Sequence, residues 1–128
     1  MTFVGESASG HSVVMDGPPE FGGQNLGIRP MEMLILGLGG CSSFDVMLIL
    51  QKSRQQVEHC EVELEYERAD ENPKVYTQIH MHFIVTGKQL DEKKVDKAIS
   101  LSAEKYCSAS VMLGKTATIT HDFEIRES

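Results

Sequence analysis

Tryptophan is absent from this sequence, and aromatic residues make up only 6% of it. Basic residues are also scarce: 12 lysines and arginines stand against 19 aspartates and glutamates, a formal net charge of −7. Because nucleic acids and anionic membrane surfaces both bind to basic faces, we expect neither as a partner. With 41% hydrophobic and 24% charged residues over 128 positions, the composition is typical of a single globular domain spanning 1–128.

Cysteine is sparse as well. The three cysteines, Cys41, Cys60 and Cys107, form no Cys-x-x-Cys pair, which excludes thioredoxin-type and zinc-ribbon motifs. The first residues lack the basic start and apolar run of a secretory signal, so we expect a cytoplasmic protein. In that compartment cysteines are usually reduced thiols, metal ligands or redox groups rather than structural disulfides.

The apolar stretch 31–50 is long enough to span a bilayer. Glycines, two acidic residues and a cysteine interrupt it, however, and such polar interruptions are rare within a membrane span. We therefore interpret it as part of a buried helix of a soluble protein, opened by Pro30 and ending near residue 56. Gly39 and Gly40 are poor helix residues, so the sequence predicts a kink or a close backbone approach there.

The periodicity of apolar residues predicts five strands and two helices. The strands are predicted at 2–6, 11–16, 61–68, 75–86 and 116–125, and the helices at 30–56 and 91–107. In sequence order the elements are ββ-α-ββ-α-β. This order predicts an α+β fold, in which the long apolar helix and the second helix pack on a mostly antiparallel sheet.

Cys41 has small neighbours on both sides, with two glycines before it and two serines after it. Small neighbours allow a ligand or another backbone to approach the sulfur. If the two glycines break the helix, Cys41 lies in the first turn of its second half, where the helix dipole favours thiolate. Peroxide reduction needs that thiolate as nucleophile, and a second thiol, for which Cys107 is the candidate, to condense with the sulfenic acid. A buried cysteine is otherwise simply a small apolar residue.

Two segments carry a family resemblance. Residues 29–41, Arg-Pro-Met-Glu-Met-Leu-Ile-Leu-Gly-Leu-Gly-Gly-Cys, resemble the helix with the reactive cysteine in the OsmC/Ohr family, and residues 106–110, Tyr-Cys-Ser-Ala-Ser, resemble its second cysteine motif. The order of predicted elements and the separation of the cysteines also fit that family over nearly the whole chain. The resemblance is strongest to its YhfA-like branch, in which Leu-Gly-Gly precedes the cysteine.

The resemblance implies an intertwined homodimer, in which two long central helices pack together and the active sites lie at the interface. It also implies a thiol peroxidase that reduces small apolar organic hydroperoxides with a dithiol reductant, with Cys41 as peroxidatic and Cys107 as resolving residue. Neither a cofactor nor a metal is expected for this chemistry.

The sequence departs from the peroxidase pattern in three places. Met31 stands where the family has an acidic residue, and the adjacent Glu32 is the candidate to replace it. No arginine precedes Arg29, so either Arg29 or His11 takes the place of the arginine that activates the thiolate. Ser108 stands where many members have proline. These departures leave open a second hypothesis, a non-catalytic dimer of the same fold that binds an apolar ligand or senses redox state.

Other residues suggest weaker hypotheses. His80 and His82 share one face of a strand, but without a cysteine or carboxylate in the motif we interpret them as a solvated or interface face. The glutamates at 61–67 are interpreted as the wet side of the sheet. A structural zinc site formed by Cys60, His59 and a strand histidine is a third alternative.

Overall fold

The computed structural model describes all residues, 1–128. They form two compact units, residues 1–36 and residues 37–128. The two units are described separately below, and the expected single domain stays a prediction. The order of the main elements, ββ-α-ββ-α-β, is confirmed. The additions are one 3-10 turn (Pro19–Phe21) before the long helix, and a π-type turn and a short α-helix before the last strand.

The N-terminal unit begins with the predicted hairpin. Strands β1 (Thr2–Glu6) and β2 (Ser12–Asp16) pair antiparallel, with Thr2 opposite Asp16. The Asp16 carboxylate accepts a hydrogen bond from Thr2 Oγ1 at 2.7 Å and further bonds from three backbone N–H groups of the loop that follows. The bond from Thr2 contributes most to lowering the pKa of Asp16 below its ordinary range. This carboxylate therefore organises the loop that the sequence marks only by its glycines and prolines.

Helix α1 (Pro30–Lys52) begins with the proline at its first position, where the missing N–H is not needed. The Glu32 carboxylate accepts the N–H of Arg29 at 2.8 Å, as in a capping box. The helix ends where Arg54 takes a left-handed backbone, φ 61°, and the Gln55 N–H donates to the carbonyl of Leu50 at 2.9 Å. It therefore ends before the predicted residue 56.

The helix is uninterrupted at Gly39 and Gly40, so these glycines do not break it. Gly39 has a packing reason instead: a Cβ added there would lie 3.0 Å from Cδ1 of Leu64. Helix geometry tolerates two glycines here because hydrogen bonds and packing outweigh their propensity cost of about 1 kcal/mol each.

The second unit contains the three-stranded sheet β3-β4-β5, formed by β3 (Gln56–Arg68), β4 (Tyr76–Lys88) and β5 (Thr118–Glu127). Strands β3 and β4 are antiparallel, and β4 and β5 are parallel, so two of the three strand pairings in the chain are antiparallel as predicted. The parallel pairing is possible because the chain between β4 and β5 is long enough for a crossover. On the inner face of β4 the predicted apolar residues are buried: Ile79, Met81, Phe83 and Val85.

The crossover contains α2 (Glu92–Leu101), whose first N–H groups are capped by the Asp91 carboxylate. The predicted helix over 91–107 is helical up to Tyr106, but beyond Leu101 it is a π-helix rather than an α-helix. A π-type turn (Ser102–Tyr106) follows, then an extended residue, Cys107, and then α3 (Ser108–Leu113). Single π-type turns within helical segments are frequent at functional sites.

Helix α1 is long and apolar enough to cross a membrane by length and composition, with a mean hydropathy of 1.9 and a third of its most apolar window buried. Core helices of soluble proteins can be equally long and apolar. Large apolar side chains on α1 are exposed in the single chain: Leu34, Leu36, Phe44 and Leu48. One chain by itself therefore leaves an apolar face of this helix uncovered.

Candidate active site around Cys41 and Cys107

The two cysteines singled out in the sequence come together although 65 residues lie between them. The Sγ atoms of Cys41 and Cys107 and a carboxylate oxygen of Asp45 all lie within 4.8 Å of one another. Cys41 and Asp45 are four residues apart on α1, so they share one face of the helix. Cys107 reaches them from the extended position between the π-type turn and α3.

The two thiols differ in their access to solvent. Both are free cysteines; Cys107 is completely buried, whereas Cys41 is partly exposed. A reagent in solution therefore meets Cys41 first. A disulfide between them would require the sulfurs to approach to about 2.05 Å.

The Cys107 sulfur accepts two hydrogen bonds, from Ser42 Oγ at 3.3 Å and from the N–H of Ser110 at 3.3 Å. Burial raises the pKa of the Cys107 thiol above its ordinary value, and the nearby Cys41 sulfur raises it further, while the two donors act in the opposite direction. Cys107 is therefore a neutral thiol. The Ser42 hydroxyl and the Ser110 N–H already donate to its sulfur, the atom on which negative charge would develop.

Asp45 is the residue of this site that the sequence analysis missed, since we treated it only as an interruption of an apolar run. Its Oδ2 accepts a hydrogen bond from Ser102 Oγ at 3.0 Å, and none of the five ion pairs of the structure involves it. The i, i+4 spacing from Cys41 was the available signal. The contact with Ser102, 57 residues later in the chain, had no signal in the sequence.

Arg29 and Glu32 have their contacts within the N-terminal unit. Arg29 Nη1 donates to Asn25 Oδ1 at 2.8 Å and to the carbonyl of Gly27 at 3.4 Å. The Glu32 carboxylate is occupied by the Arg29 backbone N–H. A part for either residue, or for His11, in activating Cys41 stays a prediction.

The condition under which a helix start would favour the Cys41 thiolate, a break at the two glycines, is not met. The uninterrupted α1 places Cys41 about three turns after the first helical residue, and dipole effects fade beyond the first turn.

The strand histidines lie on a partly exposed face of the sheet, as predicted, and carboxylates of the neighbouring strand are their partners. The parallel pairing of β4 with β5 places Asp122 between His80 and His82, at 3.1 and 2.7 Å, and Glu124 beside His82 at 3.0 Å. These bonds, above all the one to Glu124, raise the pKa of His82 and occupy both of its ring nitrogens. This arrangement is a hydrogen-bonded surface ladder on the sheet.

Cys60 lies apart from the cluster. Burial raises the pKa of its thiol, and the hydroxyl of Ser43 is its hydrogen-bonding partner. The adjacent His59 pairs with Glu61 at 3.3 Å, and both side chains are more than half exposed. The alternative of a zinc site built on Cys60 and His59 finds no grouped ligands here.

Comparison with known proteins places these observations in a family. The OsmC-like protein family matches residues 22–122 of the chain. YhfA from Escherichia coli (strain K12) is 51% identical over 128 residues, covering 98% of this chain and 90% of YhfA. A crystal structure of a protein from Aquifex aeolicus VF5 matches with a TM-score of 0.78 at 27% identity, covering 100% of this chain and 96% of that one.

A more distant structure shares the fold. It is the crystal structure of an organic hydroperoxide resistance protein, OsmC, from Legionella pneumophila, with a TM-score of 0.68 at 14% identity. The match covers 97% of this chain and 95% of that one.

Proposed function

Because this chain belongs to the OsmC-like protein family, we propose that it is a thiol-dependent peroxidase that reduces organic hydroperoxides through Cys41 and Cys107. The observation that carries the proposal is the pair of free sulfurs within 4.8 Å of each other, one accessible and one buried. The fold shared with an organic hydroperoxide resistance protein supports the same class of reaction.

The reaction proceeds in three balanced steps. The Cys41 sulfur attacks one peroxide oxygen of ROOH, the O–O bond breaks, and the products are Cys41 sulfenic acid and the alcohol ROH. The Cys107 sulfur then attacks the sulfenic sulfur, which expels water and forms a disulfide. A dithiol reductant exchanges with that disulfide, restores both thiols and leaves as its own disulfide.

Consumption of cumene hydroperoxide in the presence of excess dithiothreitol tests the proposal. We expect turnover by the wild-type protein and by Cys60→Ser, which keeps both cluster thiols, and none by Cys41→Ser. The Cys107→Ser variant should accumulate a sulfenic acid that dimedone traps, detected as an adduct on Cys41 by mass spectrometry. Full turnover by Cys41→Ser would eliminate the proposal.

We propose that Arg29 supplies the positive charge that activates Cys41 and that Glu32, whose carboxylate accepts the Arg29 N–H at 2.8 Å, positions it. Because twelve residues of continuous helix separate Arg29 from Cys41 in one chain, the guanidinium that reaches Cys41 comes from the second copy of the proposed dimer. The proposal follows from the family resemblance and from the ordered guanidinium, which Asn25 holds through a 2.8 Å hydrogen bond. A hydrogen bond to a charged group contributes about 1.5–3 kcal/mol, so Arg29→Gln should slow the oxidation of Cys41 by about tenfold or more. Glu32→Gln is the companion variant, and Arg126→Gln on β5 is the control for a lost positive charge.

The apolar face of α1 supports a homodimer in which this helix is covered by a second copy. Phe44 is 68% exposed and Leu48 is 40% exposed, and the two lie one turn apart. Contiguous exposed apolar surface usually marks an interface. Sedimentation should therefore give a dimer for the wild type and for Lys97→Glu, and a monomer or aggregate for Phe44→Glu.

We also propose that this dimer is cytoplasmic and that α1 does not enter a membrane. The support is the site itself, since Ser42 and Asp45 on α1 are engaged with residues of the same chain. Cell fractionation should recover the protein from the soluble fraction without detergent.

A non-catalytic ligand-binding or redox-sensing dimer is the second candidate. The neutral, fully buried Cys107 thiol favours it, as does the absence of an ion pair at Asp45. This candidate predicts that hydroperoxide is not consumed over many turnovers, although Cys41 reacts slowly once.

A further inference from the structure

The Cys41, Asp45 and Cys107 side chains form a group of three acidic side chains, and no basic side chain is paired with any of them. The groups that donate hydrogen bonds to them are neutral. The Ser42 hydroxyl and the Ser110 backbone N–H donate to Cys107, and the Ser102 hydroxyl donates to Asp45. Ionising all three acids together would place three negative charges within 4.8 Å of one another. At such separations the negative charges repel one another strongly. A cation in the centre would replace this repulsion by attraction, so it would be bound tightly.

The chemistry of the donors selects the kind of cation. Two thiolates and one carboxylate are ligands of zinc, and soft sulfur ligands disfavour magnesium and calcium. Zinc bonds of about 2.0–2.3 Å in a tetrahedron place ligand atoms roughly 3.3–3.8 Å apart. Donors already within 4.8 Å need only small side-chain movements to reach that spacing.

The hydrogen bonds around the three side chains would orient them as metal ligands. Ser102 Oγ fixes Oδ2 of Asp45 at 3.0 Å, which leaves the other carboxylate oxygen free to coordinate. Both donors to the Cys107 sulfur would also stabilise a metal-bound thiolate. Outer contacts of this kind orient ligands and usually contribute tenfold to a hundredfold in metal affinity.

We propose that the reduced protein binds one thiophilic divalent cation per chain, such as Zn²⁺, through Cys41 Sγ, Cys107 Sγ and an Asp45 carboxylate oxygen. The partly exposed side of Cys41 leaves the fourth position to water. Binding releases the protons of both thiols, and oxidation of the pair to a disulfide removes two of the three ligands and releases the ion. The site therefore binds metal only in its reduced state, and a bound ion shields both sulfurs from hydroperoxide.

This inference goes beyond the proposed peroxidase and is tested without hydroperoxide. Reduced protein is titrated anaerobically with Co²⁺, with tris(carboxyethyl)phosphine as a thiol-free reductant, and Zn²⁺ affinity is measured by competition with a chromophoric chelator. We expect one equivalent of Co²⁺ to produce a thiolate-to-cobalt charge-transfer band, and Zn²⁺ to displace it. Diamide-oxidised protein should give no band until it is reduced again.

Matched variants identify the ligands. Asp45→Asn, nearly identical in shape, should weaken Zn²⁺ binding by at least about a hundredfold, and Ser102→Ala by about tenfold to a hundredfold. Cys60→Ala, which removes the thiol outside the group, should bind as the wild type does. Circular dichroism melting verifies that each variant is folded.

Two results would overturn the proposal. One is a folded wild type that gives no cobalt band, and the other is an Asp45→Asn or Cys107→Ser variant that keeps wild-type zinc affinity. Because binding is measured directly, loss of the peroxidase activity alone would leave this result unaffected, and a peroxidase that binds no metal would contradict only the metal site.

Discussion

Ser42→Ala tests whether the hydrogen bond to the buried sulfur assists formation of the disulfide. Ser42 is 1% exposed and its hydroxyl donates to the Cys107 sulfur at 3.3 Å. The neighbouring Ser43 offers a matched control, because its hydroxyl is directed to Cys60 instead. Both serines lie in the interior of α1, so replacing either by alanine changes helix propensity by the same few tenths of a kcal/mol.

The expected size of the effect follows from the change in charge on the sulfur. A hydrogen bond to a neutral group contributes about 0.5–1.5 kcal/mol, and one to a charged group about 1.5–3 kcal/mol. The bond from Ser42 therefore strengthens by about 1–1.5 kcal/mol as Cys107 becomes the attacking nucleophile. Its loss should slow disulfide formation about tenfold. The folded state loses only about 1 kcal/mol, which lowers Tm by roughly 4 °C.

The assay separates the two cysteine reactions in single turnover. One equivalent of cumene hydroperoxide is added to reduced protein, and the sulfenic acid and the disulfide are quantified by dimedone trapping and mass spectrometry at successive times. Ser42→Ala should form sulfenic acid at the wild-type rate and prolong its lifetime about tenfold, whereas Ser43→Ala should match the wild type. Equal disulfide rates in Ser42→Ala and Ser43→Ala would refute the role of this bond.

Two further predictions concern stability. The pKa of His82 is raised above its ordinary 6.5 by Glu124 and Asp122, so its stabilising contribution is complete below 6.5 and is lost as pH rises through the higher folded value. His82→Gln should therefore lower the urea midpoint more at pH 5.5 than at pH 8.5, and an equal loss at both would contradict this. Asp16→Asn should lower Tm and speed amide exchange at Gln24, because the amide group accepts fewer bonds than the carboxylate; unchanged exchange would argue against the loop-organising role.

Local patterns accounted for most of the fold. Strand β4 was predicted from strict alternation, and the start of α1 from Pro30 followed by an apolar run. The end of α1 depends on the left-handed conformation of Arg54, a residue type with no preference for it. The end of α2 depends on a π-type turn, and no periodicity distinguishes such a turn from continued helix.

The site was less predictable than the fold because it depends on contacts distant in sequence. The cysteines were conspicuous as residue types, but Asp45 became visible as a site residue only when Ser102 and Cys107 were placed beside it. The partners of His80 and His82 were not predictable for the same reason. These carboxylates come from β5, and the register that sets His82 opposite Asp122 follows from the crossover rather than from either strand alone.

One electrostatic requirement connects the two proposed properties of the site. Thiolate chemistry at Cys41 needs a positive charge, since α1 provides no helix start there and the groups bound to Asp45 and Cys107 are neutral. A guanidinium such as that of Arg29 would activate the sulfur and leave its lone pairs free for peroxide. A zinc ion would ionise the same sulfur but occupy those lone pairs, so the identity of the cation decides between reactive and protected thiols. In a single turnover without dithiol, zinc at one equivalent should therefore slow the oxidation of wild-type Cys41 by hydroperoxide, and the inhibition should be relieved in Asp45→Asn, where the metal has lost a ligand.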